Sequence, residues 1–180
     1  MFGDGIFTQE GADWKHSRDL LRLQMQRKSH GDLESFRVPV DDLIRLIGDG
    51  RPTIDLQPLF FRLTLETTTS FLFGESTRRL SDTNGAGEDP FASALDTAQR
   101  WVIKRLRFAA VYWLVDSWKF RQACRDIRAF VDQIIERSET HRFPHSVAQV
   151  TPDRSALRAH TVSILVAGRD TTASLLSWTW

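Results

Sequence analysis

Apolar side chains recur at helical spacing along nearly the whole chain, and this excludes most folds before any single residue is weighed. In "RVPVDDLIRLIGDG", Val40, Leu43, Ile44 and Ile47 follow the i, i+3, i+4, i+7 pattern of an amphipathic helix, with Pro39 tolerated near its start and Gly48 as its stop. "DWKHSRDLLRLQMQRK" predicts an earlier helix, capped by Asp13 and ending near His30-Gly31, with Trp14, Arg18 and Leu21 sharing a face. Asp89-Pro90 supplies a cap and a first helical residue for "PFASALDTAQRWVIKRL". From Asp116 to about Glu139, Phe120, Cys124, Ile127, Val131 and Ile134 mark another long face; "HRFPHSVAQVTPD" breaks it before a final helix that begins near Asp153.

Two segments carry mixed signals. The Phe and Thr content of "IDLQPLFFRLTLETTTSFLFGES" favours strand, but Leu56, Leu59, Phe60 and Leu63 keep helical spacing over a length too great for one strand. A helix ending at Gly74 is expected, followed by a turn-rich loop, "SDTNGAGED". "FAAVYWLV" is either a buried connector, the commoner fate of such a run, or a surface that touches membrane. Almost nothing has the alternation of a strand, and no repeat, low-complexity tract or linker divides residues 1–180, so a single all-α domain is expected.

Composition narrows the function classes. The 24 basic residues nearly balance 23 acidic ones, so no global field recruits a nucleic acid. A single cysteine, Cys124, excludes an internal disulfide framework and a multi-cysteine zinc site. The N-terminus lacks the basic and apolar blocks of a signal peptide, and no apolar run is long enough to cross a bilayer.

The last helix carries the chemistry. In "SILVAGRDTTASLLSWTW", Thr171 stands four residues from Ala167 and three from Gly168, so all three line one sector, where small side chains let something flat or bulky approach the backbone. Asp170 adds an ionisable group, and Thr171 a hydroxyl that donates and accepts, or bonds the preceding turn's carbonyl. These are the parts of a short proton relay. The same residue types also suit a close helix crossing, with Asp170 paired to Arg169 or Arg158 on a wet side.

The ordered string "AGRDTTA", preceded by "ILV" and followed by "SLLSW", resembles the long central helix of the cytochrome P-450 family, the haem-thiolate monooxygenases. "DWKHSR" resembles that family's Trp-x-x-x-Arg helix: Trp14 and Arg18 face one way and offer an indole N–H and a guanidinium fork, suitable donors for a haem propionate, though alone this spacing also makes a surface cation–π pair. The segments between look like the fungal subgroup that hydroxylates n-alkanes and fatty acids. The resemblance implies an oxidoreductase in which Trp14, Arg18, Ala167 and Gly168 contact haem and Asp170 and Thr171 relay protons. It implies an aliphatic substrate, an NADPH-dependent reductase as electron donor, and the endoplasmic reticulum membrane as the location of full-length relatives. It also places "RWVIKRLRFAAVYWLV" over the substrate entrance.

Against the family's pattern the chain is expected to be a partial domain, lacking the N-terminal anchor and early sheet, and lacking the Glu-x-x-Arg helix and the cysteine loop after Trp180. Cys124 in "FRQACRDIR" has no flanking glycine and reads as a core residue, so no metal ligand is expected and the chain alone is expected to be inactive. The family's Arg-Pro-x-Phe is Arg22-Leu23-Gln24-Met25 here, which removes a helix stop. The alternatives are a non-catalytic helical protein that binds a hydrophobic ligand or partner, and a non-functional gene product.

Overall fold

In the computed structural model, residues 2–28, 34–48, 53–73, 90–137 and 153–180 are described. They form α1 (Gly11–Lys28), α2 (Glu34–Gly48), α3 (Leu56–Phe73), α4 (Pro90–Arg107), a 3-10 turn (Ala109–Leu114), α5 (Trp118–Arg137) and α6 (Arg154–Thr179). No strand occurs among the described residues, so the all-α expectation holds. The loop "SDTNGAGED", the stops at His30-Gly31 and Gly74, the cap at Asp89 and the break before Asp153 lie outside the described residues.

The helix signals succeed where the chemistry is local. Asp153 caps α6 by accepting from the Ser155 backbone N–H at 2.9 Å, and Pro90 opens α4, where its missing N–H costs nothing. In α3 the buried threonines would favour an extended chain, but their hydroxyls donate within the helix: Thr64 to the Phe60 carbonyl at 3.0 Å, and Thr69 to Leu65 at 2.9 Å. The polar groups are satisfied, and the apolar spacing wins. Asp13 is not the cap of α1. Gly11, at φ +59°, turns the chain into the helix two residues earlier, leaving Asp13 in the first turn, where its charge suits the helix dipole.

One core cluster draws on α1 (Leu20, Leu21), α3 (Leu65), α4 (Phe91, Leu95, Ala98), α5 (Phe120, Cys124, Ile127, Val131) and α6 (Leu157, Val162, Leu165). Phe91 and Phe130 stack inside it at 4.0 Å between centroids. A second cluster joins Leu43 of α2, Phe60 and Leu63 of α3 and Ala173 of α6. The buried stripe of α2 is therefore Pro39 and Leu43, with Leu46 and Ile47 half-buried, whereas Val40 and Ile44 are exposed. Pro39 sits well inside the helix, because the chain is already helical from Glu34. On the far side, Arg158 of α6 pairs with Asp132 of α5 at 2.9 Å, and Arg154 pairs with Glu136.

"FAAVYWLV" is not a buried connector. Phe108, Tyr112, Trp113 and Leu114 are all more than half exposed. The six-residue turn is too short to fold over the bundle, and what holds Tyr112 is the Arg105 guanidinium, 5.5 Å from its ring centroid.

The N-terminal segment closes over α6 at Ala159, which a Cβ on Gly5 would meet at 3.1 Å. Beside it, His160 is buried with Nδ1 unpartnered. Burial lowers its pKa from the ordinary 6.5; Asp4 opposes that shift and His16 adds to it. The folded chain thus holds a neutral imidazole, and the unfolded chain takes up the proton first. Stability is expected to be full above pH 6.5 and to fall as pH drops below that value towards the lower folded pKa. Denaturant midpoints measured between pH 8 and 5 check this, and His160→Gln should flatten the slope.

Candidate functional site

The packing of α1, α2, α3 and α6 leaves an apolar cavity of about 450 Å³. Ala167 and Gly168 of α6 form part of one wall, Thr67, Thr68 and Phe71 of α3 another, and Leu21 and Met25 of α1 lie across from them, with Phe7 and Phe36 at the margins. The cavity is lined by small or apolar groups because α6 runs Ser163, Ile164, Ala167, Gly168 along this side. Gly168 has a second task. A Cβ there would stand 2.5 Å from Thr68 Oγ1 and 2.8 Å from its Cγ2, so glycine lets α6 cross α3 closely. The close-crossing reading therefore applies at Gly168, which also lines the cavity.

Trp14 and Arg18 are not in the cavity wall, but they share a helical face with Leu21 and Met25, which are. Both are exposed, Trp14 at 42%. The Arg18 guanidinium lies 5.7 Å from the Trp14 ring centroid and 3.9 Å from Asp19. Two donors thus lie further along the α1 face that reaches the cavity, and the Trp14 indole N–H has no hydrogen-bond partner among the described residues.

The structure does not bring Asp170 and Thr171 together. The Thr171 hydroxyl donates to the Ala167 carbonyl at 2.8 Å, the back-bond open to a threonine in a helix, and its side chain faces outward. Asp170 turns towards α4. Its Oδ1 accepts from Arg169 Nη1 at 3.0 Å, and its Oδ2 accepts from the side-chain amide of Gln99. Arg169 is the surprise of this region. At 2% exposure it is buried, reaches Asp96 Oδ1 on α4 at 2.9 Å, and lies 4.7 Å from the Phe61 ring centroid. Asp170 pairs with Arg169, as one reading of the sequence expected; the guanidinium is buried while both carboxylates keep some solvent. Arg158 is committed to Asp132 instead. Asp96 and Gln99 carry no signal in the sequence, because they lie 73 and 71 residues from their partners. Asp96 and Arg169 also line a second cavity, of about 530 Å³, between α3, α4 and α6.

Cys124 is buried in α5 in the core cluster with Phe120 and Ile127, as a small apolar residue would be. No cluster of metal-ligating side chains occurs among the described residues, and none of the described helices is long and apolar enough to cross a membrane.

The small-residue string on a cavity wall and the Trp/Arg pair on α1 describe the site's geometry; comparison with known families supplies the class. The family model for cytochrome P-450 matches residues 1–179, and the chain belongs to that family. It is 39% identical to a cytochrome P-450 of Arthroderma benhamiae over 98% of this chain and 38% of the relative. It is 36% identical to cytochrome P-450 monooxygenase g430 of a Fusarium species, over 99% of this chain and 37% of the relative, and 36% identical to cytochrome P-450 52A4 of Candida maltosa with the same coverage. The chain thus spans well under half the length of these relatives. The family is one of oxidoreductases whose cofactor is haem.

Proposed function

We propose that these residues form the central helical part of a haem-dependent monooxygenase that hydroxylates aliphatic C–H bonds of n-alkanes or fatty acids, with electrons from an NADPH-dependent reductase. The observation that carries this reading is the apolar cavity with Ala167 and Gly168 in one wall and, opposite, the face of α1 that continues to Trp14 and Arg18. The residues fit a porphyrin: the cavity is apolar, as a macrocycle requires, and the α1 face that lines it continues to a guanidinium and an indole N–H with no partner among the described residues, donors suited to propionates. When bound, haem supplies the activation of dioxygen. Trp14 and Arg18 hold its carboxylates, Ala167 and Gly168 keep side chains out of its way, and Thr171 and Asp170 hold and move protons. Cys124, packed in the α5 core, would not supply a thiolate to the haem iron.

The choice of aliphatic substrate rests on the likeness to the fungal subgroup. Support comes from the exposed aromatic turn at the end of α4, where Phe108, Trp113 and Leu114 stand beside Lys104, Arg105 and Arg107, a composition suited to the surface of the endoplasmic reticulum membrane. Liposome flotation is expected to carry the protein, and replacing Phe108, Trp113 and Leu114 with serine to abolish it; unchanged flotation would sink the membrane contact. The reaction is tested by exchanging these 180 residues for the matching segment of the Arthroderma protein and supplying reductase, NADPH and dodecanoate. Hydroxylated product is expected, and an Asp170→Asn chimera should form it roughly a hundredfold more slowly.

A further inference from the structure

The reading of Asp170 as a proton carrier leaves a difficulty, since both of its carboxylate oxygens are held on the α4 side and Thr171 bonds elsewhere. We infer that Arg169 and Gln99 are positioning residues for Asp170, and that Asp96 is the anchor through which α4 sets where that carboxylate points; this rests on the proton-relay reading.

A buried guanidinium is costly unless its charge is met, and Arg169 is met twice, by Asp96 at 2.9 Å and Asp170 at 3.0 Å, both on Nη1. One donor nitrogen therefore joins a carboxylate of α4 to one of α6. The guanidinium cannot swing freely, because it lies over Phe61 and the residue is 2% exposed. Its Nε is buried and unpartnered, so a stronger demand than satisfying every N–H fixes the side chain here. Gln99, one turn along α4 from Asp96, takes the other oxygen of Asp170. From α4, Gln99 thus holds the acid directly and Asp96 holds it through Arg169. A shift of α4 relative to α6 acts on Oδ2 directly through Gln99 and on Oδ1 only through the Asp96–Arg169 pair, because Arg169 is carried by α6 itself. The aromatic turn that follows α4 lies on the surface. A ligand or membrane that moves α4 thereby reaches the acid without touching it.

The test reads the carboxylate itself. In the 180-residue chain with aspartate labelled at the carboxyl carbon, the Asp170 resonance is identified by its loss in Asp170→Asn. It is expected to move in Asp96→Asn and to stay put when Asp96→Asn is added to Arg169→Met, since the connection is then cut. A resonance indifferent to Asp96→Asn, or one that moves equally without Arg169, overturns the inference. Asp96 is half exposed, so its variant is expected to fold. In the chimera, Asp96→Asn should lower product formed per NADPH roughly tenfold with KM unchanged; an unaltered ratio also overturns it. Turnover indifferent to Asp170→Asn would instead refute the proton-relay reading, while the resonance result would stand by itself.

Discussion

Arg169→Met is expected to destabilise the 180-residue chain by about 2–3 kcal/mol, seen as a lower denaturant midpoint with the slope unchanged. Removing one member of a fully buried ion pair costs about 3–5 kcal/mol, because the abandoned charge remains out of water. Here the abandoned groups keep some solvent, the Asp170 side chain at 25% exposure and Asp96 at 47%, which reduces the loss. Methionine preserves most of the packing over Phe61, so what is measured is the charge. Asp96→Asn should cost less than Arg169→Met, since it leaves Asp170 paired. If Arg169→Met is neutral, the guanidinium does not hold α4 to α6.

Gly168→Ala is expected to destabilise by about 1–2 kcal/mol, although alanine is the better helix former by about 1 kcal/mol. The added methyl would meet Thr68 Oγ1 at 2.5 Å and Cγ2 at 2.8 Å. Thr68 is β-branched and set on a buried helix, so it cannot turn away cheaply, and α3 and α6 must separate. Thr68→Ala removes both close atoms and leaves its Cβ 3.3 Å away, so the double variant should recover most of the loss. A Gly168→Ala chain as stable as the parent would mean that the crossing is looser than described, and that glycine serves only the cavity.

What the sequence made legible followed from how local each interaction is. The start of α6 near Asp153, the proline at the start of α4 and the α5 stripe of Phe120, Cys124, Ile127 and Val131 need only neighbours within a turn or two, and they folded as their spacing required; at the end of that stripe Ile135 is buried and Ile134 only half-buried. The α2 face was misplaced by about one residue's rotation, because Val40 and Ile44 are as apolar as Leu43 and only the positions of α3 and α6 decide which are covered. The aromatic turn stayed open between a buried connector and a surface for the same reason: burial belongs to the tertiary fold, and a six-residue helix off the end of α4 reaches no cover. In the site, Ala167 and Gly168 could be picked out by type, since small residues in an apolar helix announce a close approach. The partners of Asp170 could not, since Asp96 and Gln99 are unremarkable polar positions until α4 is laid against α6.

On the proposed function, α1 and α6 present one porphyrin site, whose propionates Trp14 and Arg18 would hold. It is tested most directly by the reduced carbon-monoxide difference spectrum of the Arthroderma chimera, compared with its Trp14→Ala and Arg18→Ala forms, with haem content measured alongside. The expected result is a thiolate-type band in the chimera, a loss of about tenfold or more in haem affinity in each variant, and no such band from the 180 residues alone, where Cys124 is buried in α5. Full haem occupancy in both variants, or a thiolate band from the isolated 180 residues, would contradict it.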